Sequence, residues 1–423
     1  MNKRPAEDQN VCSFFLERKK RHCRMKTNEG MTFCPHHSHL GVDEDPKKGL
    51  RVPCPYDSSH FCYEAKLQKH LKKCNAREKD KPKYHVESVN VEVNHSESLK
   101  LCLRDVPDDE LIEFVNKIKS LYDKHGEEIV EIQAMHPVLR TEMEKSDDGF
   151  NAFKHMKQQA SLLSVMEDNN FLKDGSCFIE FGAGKGQLMY WIISCIPKNE
   201  ERNFILVDRS AQRHKIDNKF KDTDLQIERI RIDIQHLHLG HIESIQNKLD
   251  KVVGVSKHLC GAATDLAIKC LMDTLVTEEK VSHNALGLLM ALCCHHRCSW
   301  NSYVGRNFLE ECGITEREFQ IMCCIASWAT CGLRKTKTPA EKPEVPNPYF
   351  PENAQDENLL NRYKKLNLKH EEREIIGMQC KRLIDAGRVL YLRKKGYDTK
   401  LVTYIDKSVS LENVAMIAIY KGS

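Results

Sequence analysis

The chain has 423 residues, of which 40% are hydrophobic and 30% are charged, a composition that predicts a globular protein of two or three domains. The longest apolar stretch, residues 285–294, is far shorter than the ~18 residues that a membrane span requires. The first ten residues lack the apolar core of a secretory signal, so we expect an intracellular protein that does not enter a membrane.

The net charge of +4 is unevenly distributed along the chain. Residues 1–85 contain 19 Lys and Arg against 11 Asp and Glu, a balance of +8, whereas the remainder contains 46 against 50, a balance of −4. A basic N-terminal region favours a polyanionic partner such as nucleic acid, and a solvated lysine-rich surface is the alternative.

Six of the 19 cysteines precede residue 75 and are interleaved with histidines, a pattern typical of metal ligation in a reducing compartment. The first cluster lies within residues 10–40 and consists of Cys12, Cys23, Cys34 and His37. Equal spacing of the cysteines and the Cys-x2-His spacing of the last pair predict a zinc site, with His36 left open as the alternative to His37.

A cationic run, Glu-Arg-Lys-Lys-Arg, occupies residues 17–21 between the ligands of this first cluster. Such a run suits contact with nucleic-acid phosphates, and it also resembles a nuclear localisation signal. The sequence therefore leaves the nucleus and the cytoplasm both open.

The second cluster lies within residues 51–78 and consists of Cys54, His60, His70 and Cys74. His70 and Cys74 are four residues apart in a segment with a helical pattern, so both side chains face the same way. Two thiolates and two imidazoles match a closed tetrahedral zinc site, which stabilises a module too small to bury a core. Cys62 is interpreted as a spectator.

The next segment, residues 79–172, is predicted to be a linker followed by a helical connector. From residue 108 onward, apolar residues recur at three- and four-residue spacing, and a second helix is expected over residues 153–167.

From residue 173 to 423, short apolar segments alternate with longer polar ones. Strands are predicted at residues 177–181, 204–207, 228–232, 251–256 and 286–292. Their spacing predicts an α/β, Rossmann-like domain with a parallel-rich sheet. Residues 334–358 hold five of the 14 prolines and are predicted as an insertion, followed by a helix over 371–386 and strands near 388–393 and 414–420.

Three glycines, Gly182, Gly184 and Gly186, follow the first predicted strand of this domain. Their G-x-G-x-G spacing differs from the dinucleotide fingerprint, although it permits the same sharp turn and close approach of a ligand. Glu180 precedes them by two residues and is suited to the cationic amino-acid end of S-adenosylmethionine. A simple strand-to-helix turn is the alternative.

Two further acids end the next two predicted strands. Asp208 lies 22 residues after Gly186, a distance at which an acid commonly accepts hydrogen bonds from ribose hydroxyls. Asp233, at the end of the following strand, is expected to accept a hydrogen bond from the adenine amino group. Each acid alone could be a strand-end cap, but together with the glycine loop they predict an S-adenosylmethionine-dependent methyltransferase.

Candidate proton acceptors follow the fourth and fifth predicted strands, where ligands of such sheets bind. They are Lys257, His258, His295 and His296. Any of them with a pKa near working pH could relieve a ribose 2′-hydroxyl of its proton. The alternative is that one or more of them satisfy backbone groups.

Cysteines at the same strand ends support a rival interpretation. Cys260 with Cys293 or Cys294 could serve an RNA cytosine-5 methyltransferase, although Leu259 stands where those enzymes usually have proline. A metal site within residues 293–298 and a non-catalytic RNA-binding scaffold are the remaining alternatives.

Together the motifs resemble the eukaryotic tRNA 2′-O-methyltransferase family that modifies the fourth nucleotide of the acceptor stem. The resemblance rests on the order of the two fingers, Glu-Phe-Gly-Ala-Gly-Lys-Gly, Lys-His-Leu-Cys-Gly and Cys-Cys-His-His-Arg-Cys. The second finger also resembles one that binds RNA in a minor-spliceosome protein. The resemblance implies S-adenosylmethionine, zinc and a tRNA acceptor stem as ligands. It leaves the catalytic base open, because the Lys-Asp-Lys-Glu tetrad of many ribose methyltransferases is missing.

Overall fold

The structure is a computed structural model in which the chain forms two compact units, Met1–Pro82 and Lys83–Ser423. It describes residues 11–16, 21–27, 32–34, 37, 51–74, 81–91, 101–132, 134–145, 150–173, 175–196, 202–212, 216–220, 223, 225–276, 283–331 and 357–422. Among these residues, none belongs to a helix that is long and apolar enough to cross a membrane.

The described residues of the first unit form two short antiparallel pairs of strands and one α-helix. The elements are β1 (Phe15–Leu16), β2 (Arg21–His22), β3 (Arg51–Cys54), β4 (Asp57–Tyr63) and α1 (Leu67–Leu71). Of the segment predicted to be helical around His70 and Cys74, only the five residues of α1 form the helix, and Cys74 lies beyond its end.

The second unit is built on an eight-stranded sheet of order β5-β11-β12-β10-β9-β6-β7-β8. The strands are β5 (Ile129–Glu131), β6 (Cys177–Phe181), β7 (Asn203–Asp208), β8 (Gln226–Arg231), β9 (Val252–Cys260), β10 (Gly287–Cys293), β11 (Tyr397–Thr403) and β12 (Val414–Tyr420). All neighbours pair in parallel except β12, which is antiparallel to both β10 and β11. The predicted Rossmann-like, parallel-rich fold is confirmed.

The helices described in the second unit pack against this sheet or against one another. They are α2 (Asp108–His125), α3 (Arg140–Lys145), α4 (Phe150–Asp168), α5 (Gln187–Ser194), α6 (Ala262–Asp273), α7 (Arg306–Glu311), α8 (Glu316–Ala326), α9 (Trp328–Cys331), α10 (Glu357–Lys365) and α11 (His370–Lys394).

The central strands are largely apolar because both faces of the sheet are covered. All five residues of β6 and all seven of β10 are buried. Ile179 and Phe181 lie in one hydrophobic cluster with residues of α6, whereas Phe178 lies in another with residues of α4 and α5. Strands that are covered on both faces are expected to have nearly continuous apolar sequences, and this pattern allowed their prediction.

One predicted strand is wrong. Residues 388–393 continue α11, which ends at Lys394, and the strand β11 begins only at Tyr397. The strand prediction depended on the four consecutive apolar residues 389–392, and periodicity cannot distinguish so short an apolar run in a buried helix from a strand.

Much of the segment predicted as a connector packs into the second unit. The Asn90 side chain donates hydrogen bonds to the carbonyl oxygens of Ile234 (2.6 Å) and Leu237 (2.8 Å). Farther along, α2 packs against α11 and β5 pairs with β11 at the edge of the sheet. Of the insertion predicted at 334–358, residues 334–356 lie outside the described part of the chain, and α10 begins at Glu357.

Candidate functional site

A tight glycine turn joins β6 to α5. Gly182, Gly184 and Gly186 have φ angles of 66°, 52° and 83°, a left-handed conformation that side chains other than glycine rarely adopt. A Cβ atom on Gly182 would lie 3.0 Å from Leu259 Cδ1, whereas one on Gly184 would meet no described atom within 4 Å. The described residues thus leave room beside Gly184 for a ligand to approach the backbone.

Neighbouring strands hold both peptide groups of this central glycine. Asp208 Oδ2, at the end of β7, accepts a hydrogen bond from Gly184 N at 2.8 Å. Arg229 Nη1, on β8, donates to Gly184 O at 2.9 Å. Asp208 Oδ1 also accepts from Ser210 N at 2.7 Å, so the carboxylate is fixed and still has unused lone pairs. Sequence reasoning missed Arg229. The alternation of apolar and charged residues in β8 indicates the face of the sheet on which Arg229 lies, but it does not indicate the hydrogen bond to Gly184.

Glu180 is only 4% exposed and lies at the start of the turn. Its Oε2 accepts a hydrogen bond from Met189 N (3.1 Å), in the first turn of α5, where backbone N–H groups lack helical partners. Burial raises the pKa of the Glu180 carboxyl to about 8. A cationic ligand group nearby would restore its ionised form.

Asp233 follows β8 and is half-buried. Its Oδ1 accepts a hydrogen bond from Gln235 N at 3.2 Å, and its Oδ2 lies 3.6 Å from Arg209 Nη1. Acids therefore stand at the carboxyl ends of β6, β7 and β8, which are adjacent in space. This donor set fits S-adenosylmethionine, whose ammonium, ribose hydroxyls and adenine amino group all donate hydrogen bonds.

A bulge in β9 shapes the neighbouring strand end. Ser256 is in register with Met290, and Leu259 with Leu292, so two residues of β9 lie opposite one residue of β10. Those two residues are Lys257 and His258. Bulges of this kind re-aim side chains and are common beside active sites.

Lys257 is 7% exposed, and its Nζ lies 3.2 Å from His155 Nδ1 on α4. Burial lowers the pKa of Lys257 to about 8, and the Glu180 carboxylate partly opposes the shift. Partial desolvation and the charge of Lys257 lower the pKa of His258, whose side chain is exposed. An appreciable fraction of Lys257 therefore carries a neutral amine near physiological pH.

The two histidines after β10 have a different environment. His295 is fully buried, and its Nε2 lies 2.7 Å from Asp385 Oδ1 on α11. Asp385 also pairs with Arg382 (3.4 Å) and Arg388 (3.2 Å), so His295 belongs to a buried ion cluster. Burial lowers the pKa of His295 and that of the half-buried His296.

Three thiols meet at the ends of β9 and β10. The Sγ atoms of Cys260 and Cys293 are 3.9 Å apart, and all three sulfurs, including that of Cys294, lie within 4.8 Å of one another.

In the first unit, the four ligand atoms of Cys12, Cys23, Cys34 and His37 lie within 4.8 Å of one another. Cys12 Sγ and Cys34 Sγ are each 3.4 Å from His37 Nδ1. Tetrahedral zinc with bonds of ~2.0–2.3 Å requires ligand separations of roughly 3.4–3.8 Å, so the set fits the ion. His36 and residues 17–20 of the cationic run lie outside the described residues.

The second cluster has the same form. Cys54 Sγ and Cys74 Sγ are 3.6 Å apart, and His70 completes a group within 4.8 Å. His60 lies on β4, and its side chain is outside the described part of the chain.

A parallel-rich sheet, a glycine turn after its first central strand and acids at three adjacent strand ends define a Rossmann-like methyltransferase. Comparison with known families agrees. A family described as "Methyltransferase TRM13" matches residues 157–419. A "CCCH zinc finger in TRM13 protein" matches residues 10–38, and a "U11-48K-like CHHC zinc finger" matches residues 51–75.

The chain belongs to the TRM13 methyltransferase family. A mouse (Mus musculus) relative is 35% identical over 96% of this chain and 94% of its own length. A human (Homo sapiens) relative is 34% identical over 98% and 95%, and one from Schizosaccharomyces pombe is 34% identical over 87% and 95%. Curated names call the first two "tRNA:m(4)X modification enzyme TRM13 homolog" and the third "tRNA:m(4)X modification enzyme TRM13".

These matches confirm the predicted family, the methyltransferase class and the two zinc-finger modules. S-adenosylmethionine is the methyl donor, and zinc is the metal of the fingers.

Proposed function

We propose that the protein transfers a methyl group from S-adenosylmethionine to the ribose 2′-hydroxyl of the fourth nucleotide of the tRNA acceptor stem. Relatives named as tRNA modification enzymes align over nearly the whole chain, which supports tRNA as the substrate. The ribose chemistry rests on one observation above all: a buried lysine, Lys257, whose pKa is lowered to about 8 at the carboxyl end of β9.

We assign donor binding to the glycine turn and the strand-end acids. Gly182, Gly184 and Gly186 let the ligand approach the backbone, and Glu180 offsets the charge of the donor's ammonium. Asp208 accepts from the ribose hydroxyls and Asp233 from the adenine amino group. The bound donor supplies an electrophilic methyl group on a sulfonium.

Lys257 serves as the general base in this proposal. Its neutral amine accepts the proton of the ribose 2′-hydroxyl as the oxygen becomes the nucleophile, which requires a pKa near working pH. His155, 3.2 Å from Nζ, holds the amine in place, and His258, the other residue of the bulge, is exposed. His295, tied to Asp385, and His296 support the loop after β10.

The fingers hold zinc through Cys12, Cys23, Cys34 and His37 in the first module (10–40), and through Cys54, His60, His70 and Cys74 in the second (51–78). Each set fills all four tetrahedral positions of its zinc ion. We therefore assign the fingers to folding and to phosphate contact rather than to catalysis. The N-terminal excess of +8 supports that role. A tRNA substrate places the protein inside the cell, in the nucleus, the cytoplasm or both.

The test is methylation of defined tRNA transcripts with S-adenosylmethionine, followed by digestion and mass spectrometry of the nucleosides. We expect a 2′-O-methylnucleoside. A transcript with a 2′-deoxynucleotide at position four should accept no methyl group, whereas one with the same change at position three should react normally. Formation of 5-methylcytidine instead would move the chemistry to Cys260, and normal reaction of the position-four substrate would refute the assigned position.

A further inference from the structure

The three thiols at the ends of β9 and β10 are brought together by two separate backbone irregularities. The first is the bulge in β9. Because it adds one residue to that strand, Cys260 comes into register with Cys293 on the parallel neighbour. In a parallel pair, residues in register project their side chains to the same face of the sheet.

The second irregularity is at Cys294, which has φ 51° and ψ 45°. Successive residues of a strand point to opposite faces, so an extended Cys294 would carry its sulfur away from that of Cys293. The left-handed conformation avoids this and keeps all three sulfurs within 4.8 Å. Residues other than glycine pay of order 1–3 kcal/mol for strained backbone regions, which persist where the surroundings impose them, commonly at functional sites.

The surroundings here are tight. Gly261, directly after Cys260, has φ 54°, and a Cβ atom on it would lie 2.4 Å from the Arg297 carbonyl carbon. Gly261 N also bonds to Cys293 O at 3.4 Å. The backbones of the segments that follow β9 and β10 are therefore packed directly against each other. This packing restricts the positions of the cysteines at the ends of both strands.

The spacing of these sulfurs matches that of the two finger clusters. Sγ–Sγ distances are 3.9 Å for Cys23 with Cys34 and 3.6 Å for Cys54 with Cys74. The distance for Cys260 with Cys293 is 3.9 Å. Neighbouring ligands of tetrahedral zinc lie about 3.8 Å apart when both are thiolates, so the cluster fits the same ion.

We propose that Cys260, Cys293 and Cys294 bind a zinc ion in the methyltransferase unit, in addition to the two zinc ions of the fingers. These three thiolates are the only ligands that the described residues bring within 4.8 Å of one another at this place. Three protein ligands leave the fourth tetrahedral position open, which is the pattern of zinc sites that bind an exogenous ligand. That position takes a water molecule or another small oxygen or nitrogen ligand.

The test is the zinc content of the full-length protein, purified with a phosphine reductant and measured by inductively coupled plasma mass spectrometry. We expect about three zinc ions per chain. Cys260→Ser and Cys294→Ser should each lower the content to about two. The matched control is Cys312→Ser, a partly exposed thiol outside the cluster, which should keep all three. A wild-type content of two, or no loss in Cys260→Ser and Cys294→Ser, would overturn the proposal.

Cobalt substitution tests the open position and guards against misfolding of a variant. In the cobalt-loaded wild type, added imidazole should shift part of the d–d absorption, because the closed finger sites cannot accept a further ligand. Cys294→Ser should lose that shift and keep the finger absorption, and circular dichroism should show an unchanged fold. An imidazole-insensitive wild-type spectrum would mean that the protein itself fills the fourth position.

Discussion

At the scale of single residues, the central feature is a lysine that a folded protein would normally keep at the surface. Lys257 is buried because the bulge in β9 turns it toward α4, where it meets His155. Burial penalises the ammonium form, and the nearby Glu180 carboxylate recovers part of that penalty. The residue thus combines access to a strand end with a pKa that permits proton transfer.

Replacing Lys257 by methionine should lower kcat by about 10²- to 10⁴-fold, because the general base is lost while side-chain volume is kept. Affinity for S-adenosylmethionine, measured by calorimetry, should change little, since the glycine turn and the strand-end acids remain. Lys400→Met, on β11, is the matched control and should retain wild-type turnover. Turnover of Lys257→Met within a few-fold of wild type would remove Lys257 from the mechanism.

The pH dependence separates the candidate bases. Lys257 acts when deprotonated and its pKa is about 8, so kcat/KM for tRNA should rise with pH through about 8 and then level off. Saturating S-adenosylmethionine is used because its ammonium keeps Glu180 ionised, which removes the titration of that carboxyl from the profile. His258 has a pKa below its usual 6.5 and is already neutral at pH 7. A histidine base would give a profile that is flat between pH 7 and pH 9, which a series of initial rates on tRNA would reveal.

At the scale of elements, the sequence located the five parallel strands β6 to β10 within a few residues. Four of them are interior strands that contain apolar runs, whereas the edge strand β8 shows alternating apolar and charged residues. The sequence did not locate the end of α11, because the four apolar residues 389–392 have the same appearance as a short buried strand. The bulge in β9 was also beyond reach, because Lys257 and His258 read as ordinary strand-end residues until their register with β10 is known. The residue roles drawn from those motifs stay predictions.

Close packing of α11 supplies a test of the fold. A Cβ atom on Gly387 would lie 2.1 Å from Tyr303 Oη, which donates a hydrogen bond to Ile384 O at 2.8 Å. Gly387→Ala gains roughly 0.5–1 kcal/mol of helix propensity but overpacks the core, at a cost of about 1–3 kcal/mol. Net destabilisation is expected in urea unfolding.

Tyr303→Phe provides the control for this prediction, because it removes the atom that the new methyl group meets most closely. The double variant should be less destabilised than the sum of the two single variants, which is the sign of a shared steric contact. Stabilisation of the protein by Gly387→Ala alone would contradict the prediction, because it would show that Tyr303 moves away from the new methyl group at little cost.

At the scale of the whole molecule, the two units are stabilised in different ways. The second unit has three large hydrophobic clusters, whose buried residues all lie between Leu103 and Ala418. The buried cluster described in the first unit consists of Cys12, Cys23 and Cys34, with a few half-buried apolar neighbours. A module of this size gains its folding free energy from zinc. Loss of finger zinc should therefore unfold the first unit and spare the second.

The double variant Cys12→Ser/Cys54→Ser tests this division of labour. Donor affinity should be unchanged, because the donor-binding residues belong to a unit with its own core. Affinity for tRNA should fall by about 10- to 100-fold. The slope of log affinity against log salt should become shallower, because a protein that contacts fewer phosphates releases fewer counterions on binding. Cys62→Ser, the cysteine of the second finger that is not assigned to zinc, is the matched control and should bind tRNA normally. Unchanged tRNA affinity and salt slope in the double variant would assign all tRNA binding to the methyltransferase unit, and loss of donor affinity would show that the second unit does not fold without the first.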